Sequence, residues 1–133
     1  NIIIEGISDF IYLSTISTHL RALTRAALPV DCRLIPAGGA TNIPTFIALI
    51  GDKLDLVVLI DGSAARQKIE NAIAAGRLTA SRVLTVDRFS KVKDADIEDL
   101  FETSIPTLSA STLDRFEKCI DALAKALPAK KTP

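Results

Sequence analysis

Negative side chains fall where three apolar runs end. Glu5 directly follows Ile2-Ile3-Ile4, and Asp9 stands four residues further on. Asp61 closes the most apolar stretch of the chain, residues 54–60, written LDLVVLI. Glu98 and Asp99 come after Arg82-Val83-Leu84-Thr85-Val86, across a polar loop. If these runs are strands of one sheet, the acids share a rim, and like charges there repel unless a cation lies between them. Hard divalent ions such as Mg²⁺ take oxygen ligands of this kind. Most of the acids also have a plainer use: Asp9 suits the positive end of a helix, Glu98 and Asp99 a first helical turn, and Asp61 a cap. Glu5 has no obvious helix to cap. The three groups taken together favour metal ligation.

The elements that must position these acids follow from periodicity. Ile2-Ile3-Ile4 is β-branched and wholly apolar, as expected of a strand covered on both faces, and Glu5-Gly6 ends it. From Ser8, the residues Phe10, Leu13, Ile16, Leu20, Leu23 and Ala27 recur every three or four positions, which predicts an amphipathic helix stopped by Pro29. Cys32-Arg33-Leu34-Ile35 reads as a second strand, followed by the loop Pro36-Ala37-Gly38-Gly39. That glycine pair fits a tight strand-to-helix turn, or a backbone loop approaching phosphate or metal. A helix capped by Asn42, with Pro44 in its first turn, runs to a stop near Gly51. Residues 54–60 form a third strand, Ser63 caps a helix ended by Gly76, and residues 82–86 form a fourth strand. Asp96-Ile97-Glu98-Asp99-Leu100-Phe101 starts a short acidic helix, and Leu113, Phe116, Ile120, Leu123 and Leu127 mark a final one. Strands this buried, alternating with helices, predict an α/β fold built on a mostly parallel four-stranded sheet. Sites in such sheets form at the carboxyl ends of strands.

Composition sets the outer bounds. The chain has 133 residues, enough to close a hydrophobic core, and its 48% apolar content excludes a disordered class. Sixteen basic and sixteen acidic residues leave no net charge, so the whole-molecule field does not attract nucleic acid; a chain that bound it would need a locally basic groove or phosphate contacts from other parts of a larger protein. Cys32 and Cys119 lie far apart, with no further Cys or His at ligand spacing, and read as small buried hydrophobes. His19, beside the apolar stripe of the first helix, reads as a surface or half-buried side chain. No apolar run approaches the roughly 20 residues of a membrane span, and the opening residues do not form a signal peptide. The expected compartment is cytoplasmic. The chain contains no methionine and opens on an apolar run, as expected of a domain taken from a longer polypeptide, although removal of an initiator methionine gives the same start. Residues 1–127 are expected to form one domain and residues 128–133 a basic tail.

Several segments, in order, resemble a known family. Ile3-Ile4-Glu5-Gly6-Ile7-Ser8-Asp9 resembles the VEGxSD opening of Toprim domains, and Leu59-Ile60-Asp61-Gly62-Ser63 resembles the D-x-D motif after their third strand. Ile35-Pro36-Ala37-Gly38-Gly39-Ala40-Thr41-Asn42 and Asp96-Ile97-Glu98-Asp99-Leu100-Phe101 look like the OLD-family branch, the ATP-dependent endonucleases. The resemblance runs from Ile2 to about Phe101 and implies a Toprim-like, Rossmann-like fold.

It also implies an activity: DNA phosphodiester cleavage with two Mg²⁺ or Mn²⁺ ions. Glu5 and Asp9 would bind one ion, Asp61 would reach a shared or second ion, and Glu98 and Asp99 would complete the second site. Glu5 and Asp61 would be the catalytic pair. Ser63 stands where the family carries its second acid; its oxygen can ligate Mg²⁺ or hold a ligating water, but it brings no charge. A non-catalytic Toprim-like regulatory or interaction module is therefore the alternative. A receiver-like domain with Asp61 as phosphoacceptor ranks last, since it needs an acidic pair after the first strand and a well-placed lysine. The resemblance further implies an ABC-type ATPase domain in the same parent chain, possible homodimerisation and no membrane partner. No G-x-x-x-x-G-K-[ST] loop occurs in the sequence, so nucleotide hydrolysis is not assigned to these residues. For the family's basic catalytic residue the candidates are Arg66, Lys68 and the Lys130-Lys131 pair, each of which also fits a solvated surface charge.

Overall fold

The computed structural model describes residues 1–50, 55–62, 66–67, 69–103 and 106–128. Four short strands make one sheet: β1 (Ile2–Ile4), β2 (Leu34–Pro36), β3 (Val57–Ile60) and β4 (Val83–Thr85). All neighbours run parallel, in the order β2-β1-β3-β4, with Ile3 level with both Ile35 and Val58, and Leu59 level with Leu84. The parallel sheet expected from the apolar runs is therefore present, and the architecture is a Rossmann-like α/β fold.

Alternation along each strand divides the core into two layers. Ile2, Ile4, Val57, Leu59 and Leu84 face α1 (Ile7–Ala22) and α4 (Ala110–Ala126). Ile3, Val58, Ile60 and Val83 face α2 (Ile43–Ile50), with α3 (Glu70–Ala74) packing its Ile73 on the same side. Strands covered on both faces have no polar side to show, which is why they read as unbroken aliphatic runs. Each fully buried Ile or Leu in these layers contributes about 1.5–3 kcal/mol.

Several boundaries differ from the sequence reading. The first helix ends at Ala22 instead of running to Pro29. Thr24 takes a left-handed conformation (φ 58°), and the Arg25 and Thr24 N–H groups close back on the Leu20 and Arg21 carbonyls at 2.9 and 3.0 Å. This is the geometry of a Schellman stop, made here without the usual glycine and so without its sequence signal. Leu13, Ile16 and Leu20 are buried, but Phe10 and Leu23, expected on the same stripe, are exposed. The second strand takes in Pro36 and leaves out Cys32 and Arg33. The acidic segment forms a 3-10 turn, Ile97–Leu100, capped by Asp96, not an α-helix. The proposed stop at Gly51, the start of the third strand at Leu54 and the Ser63 cap lie outside the described residues.

Packing of α4 carries the acidic segment. Phe116 is fully buried and meets Phe101 edge-on, with ring centroids 5.1 Å apart; Phe101 in turn meets Tyr12 of α1 at 5.0 Å. The Arg115 Nε donates to the Leu100 carbonyl at 2.8 Å. At the far end of α1, the Arg25 guanidinium bonds Asp114 and Glu117 at 2.8 and 3.0 Å, and Glu117 also accepts from the Ala26 N–H. Cys119 is buried in this layer and Cys32 packs against it, both as free thiols.

Candidate functional site

β1 sits between β2 and β3 while the chain visits the strands in numerical order. The connection from β1 leaves to one side, and the connection from β2 returns across to the other. The crevice between β1 and β3 is thus the switch point of the sheet, where parallel α/β folds open a site beyond their strand ends. Glu5 ends β1 and Asp61 ends β3, so both carboxylates belong to that crevice.

A pocket of about 230 Å³ opens there, lined by Glu5, Gly6, Ser8, Asp9, Gly39, Asp61, Asp96 and Glu98. Five of those eight residues are carboxylates, brought in by β1, α1, β3 and the segment after β4. The Asp61 N–H approaches Glu5 Oε1 at 3.5 Å, and the Val86 N–H bonds the Asp61 carbonyl at 2.9 Å, tying β4 to the same rim. Asp9 is only 8% exposed, and its Oδ2 accepts from the Gly6 N–H at 2.9 Å, so it closes the helix start and lines the pocket at once.

Two glycine positions let the loops approach. Gly39, at φ 129°, donates its N–H to the Glu5 carbonyl at 2.7 Å, a backbone geometry that L side chains rarely adopt. The glycine loop is therefore a tight turn that also borders the pocket. A Cβ on Gly62 would stand 2.6 Å from the Asp94 Cα, so only glycine lets the segment after β4 come this close.

Repulsion and burial show in the titration of the acids. Burial first, then the hydrogen bond and charge of Glu5, with Asp96 and Asp99 adding to them, push the Asp61 carboxyl up to about 8. Burial likewise pushes Asp9 up to about 6, opposed by the Gly6 N–H and reinforced by Asp61, Glu98 and Asp96. Groups whose folded value exceeds the unfolded one hold protons that the unfolded chain has released, so stability falls as pH rises toward the folded value. In EDTA the melting temperature is expected to drop between pH 6 and pH 8.5, by about 3–5 °C for each kcal/mol lost. Ionisation of the unfolded chain's thiols has little weight in this window, and the stability contributed by the lowered Glu117 carboxyl is already complete there. A melting temperature that rises across it contradicts the crowded rim.

The sequence candidates are not all brought together. Glu5, Asp9, Asp61 and Glu98 line the pocket; Ser63 and Lys68, Lys130 and Lys131 lie outside the described residues. Asp99 turns away: its Oδ2 accepts from the Asp96 N–H at 3.0 Å, and it lines two neighbouring pockets instead. Asp96 takes the place beside Glu98. Asp96-x-x-Asp99 has capping-box spacing, which marks the turn but turns both acids onto its backbone, Asp96 Oδ1 accepting from the Asp99 N–H at 3.2 Å, and so does not say which of them lines the pocket. Arg66 stands 3.7 Å from Glu70 in an (i, i+4) pair and does not line the pocket. His19 is exposed near the end of α1.

The side-chain donors of the pocket are oxygens, five carboxylates and the Ser8 hydroxyl, which suits a hard divalent cation. Among the described residues, however, no three of these side chains stand close enough to enclose an ion as they are. The fold and pocket define a class: a parallel α/β protein with a carboxylate-lined crevice at its switch point. Comparison with protein-family models, with curated proteins and with solved structures finds no match. Among the described residues, no helix is long and apolar enough to cross a membrane.

Proposed function

We propose that this chain is a metal-dependent nuclease module that hydrolyses DNA phosphodiester bonds, in the manner implied by its resemblance to the Toprim domains of OLD-family endonucleases. The observation that carries the reading is the gathering of Glu5, Asp9, Asp61, Asp96 and Glu98 around one pocket, with Asp61 pushed far above the usual carboxylate range. Asp61 follows directly on β3 and caps no described helix, and its charge is opposed by those of Glu5, Asp96 and Asp99. A divalent cation turns that repulsion into attraction.

Glu5 and Asp61, adjacent across the crevice, are the first pair to hold an ion, with Asp9 at their flank. Glu98, with Asp96, faces them from the 3-10 turn and provides for a second. Bound Mg²⁺ or Mn²⁺ supplies the positive charge that activates water and stabilises the departing oxygen. The chain's own part is to hold the carboxylates on rigid strand ends and to give up the proton on Asp61 when an ion enters. To enclose an ion the carboxylates would have to rotate toward one another, since the surrounding backbone is tied by the Gly39, Asp61 and Val86 hydrogen bonds.

Calorimetric titration of Mn²⁺ into the metal-free protein tests this directly. Binding is expected at pH 7.5, with proton release and with weaker affinity at pH 6, because the ion displaces protons from Asp61 and Asp9. No binding heat in several buffers, together with no metal-dependent rise in melting temperature, overturns the proposal and favours the non-catalytic module.

A further inference from the structure

Beside the acidic pocket lies a second, larger cleft of about 630 Å³. Its cationic side chains are Arg88, Lys91, Arg115 and Lys118, set against Asp99, Glu102 and Asp114. Asp114 is already paired with Arg25 at 2.8 Å, which leaves the four cations facing only Asp99 and Glu102, a net positive lining in a chain with no net charge. Among the described residues, no ion pair engages any of the four cations. The Arg115 guanidinium is held in the wall by the Leu100 carbonyl and by Thr112 Oγ1 at 3.4 Å, so its direction is set before any ligand arrives.

A second observation points to a ligand. Ser111 is half-buried in the cleft wall, and its hydroxyl, turned away from solvent, has no hydrogen-bond partner among the described residues, a cost that turning into the cleft toward a ligand would relieve. Ser111 lies in the first turn of α4, a 17-residue helix, where backbone N–H groups and the helix dipole favour an anion. A hydroxyl lacking a partner, a helix start and a fixed guanidinium meet the needs of a phosphate oxygen, and the exposed lysines those of its charge.

The two openings are joined through the 3-10 turn. Glu98 lines the acidic pocket and Asp99, the next residue, lines the basic cleft. We propose that this cleft binds the sugar-phosphate backbone of a nucleic-acid strand at a phosphate away from the one at the acids, and so positions the strand. Its choice of a nucleic-acid phosphate rests on the nuclease reading; the anion-binding chemistry does not. Arg88, Lys91, Arg115 and Lys118 are positioning residues here.

The test uses the full chain, a fluorescently labelled single-stranded DNA 12-mer, and EDTA throughout, read by anisotropy at several salt concentrations. Lys91→Ala with Lys118→Ala is expected to weaken binding at least tenfold and to lower the salt slope by about 1.4, the value for two phosphate contacts on a single strand. Arg77→Ala with Lys125→Ala, two cations outside the cleft, is expected to change it less than twofold. No binding by the unaltered protein, undiminished binding by the cleft pair, or equal loss in both pairs overturns the proposal. The Mn²⁺ titration, repeated on the cleft pair, keeps the two readings apart: intact metal binding with intact DNA binding removes the cleft alone. Cleft-dependent DNA binding without any metal binding removes the nuclease reading and leaves the cleft.

Discussion

Asp61→Asn is expected to lower metal-dependent DNA cleavage by a factor on the order of 10²–10³ while leaving the metal-free protein at least as stable as before. The two halves of that result have one cause. Asparagine keeps the size of the side chain but removes the charge that an ion needs and that Glu5, Asp96 and Asp99 oppose in its absence. Without metal, the carboxyl at the end of β3 is a burden on the fold above neutral pH, and the amide relieves it. Glu5→Gln acts on the same pair from the β1 side and is expected to give a similar loss. Cleavage rates at saturating Mn²⁺ and melting curves in EDTA, measured on the same preparations, check both halves. If both variants cleave as well as the parent, the carboxylates are not the reacting centre. If both lose activity and also melt far below the parent, the acids serve the fold.

Phe116→Ala is the second large effect, expected to cost about 3–5 kcal/mol in urea denaturation. That is a large share of the roughly 5–15 kcal/mol a domain holds. Phe116 is fully buried, so its removal leaves a cavity between α4 and the sheet and strips Phe101 of its edge-on partner. Phe101 directly follows the turn bearing Glu98, and its other ring contact is Tyr12 on the helix that carries Asp9. The loss therefore reaches the rim as well as the core, and Mn²⁺ affinity is expected to fall with it. Phe116→Leu, which keeps most of the volume, is the variant to measure if the alanine form does not fold; about 1–2 kcal/mol is expected. A change below 0.5 kcal/mol in either, as a rough threshold for surface substitutions, would show that this aromatic chain does not support the layer.

Much of the frame was legible because its physics is local. An aliphatic run with no polar face, such as Ile2-Ile3-Ile4 or residues 56–60, is the mark of a strand covered on both sides, and alternation with helices then requires parallel crossovers. Glu5 and Asp61 were legible for the same reason, each being the first charge after such a run. The end of α1 was not, because Thr24 supplies the left-handed stop where the pattern expects glycine. The outward face of Phe10 was not either, since periodicity gives a stripe but not its width.

What the sequence determined by itself is the type of sheet and the strand ends at which Glu5 and Asp61 stand. Tertiary structure alone decided that β1 and β3 are neighbours, which sets Glu5 beside Asp61 across 56 residues of chain. It also decided that Asp96, not Asp99, shares the pocket with Glu98, and that Arg88, Lys91, Arg115 and Lys118 converge on one cleft. The reason is one of range. Strand and helix formation depend on residues a few positions apart, whereas a loop carboxylate takes its direction from backbone hydrogen bonds and ring contacts made by segments that meet only in the folded chain.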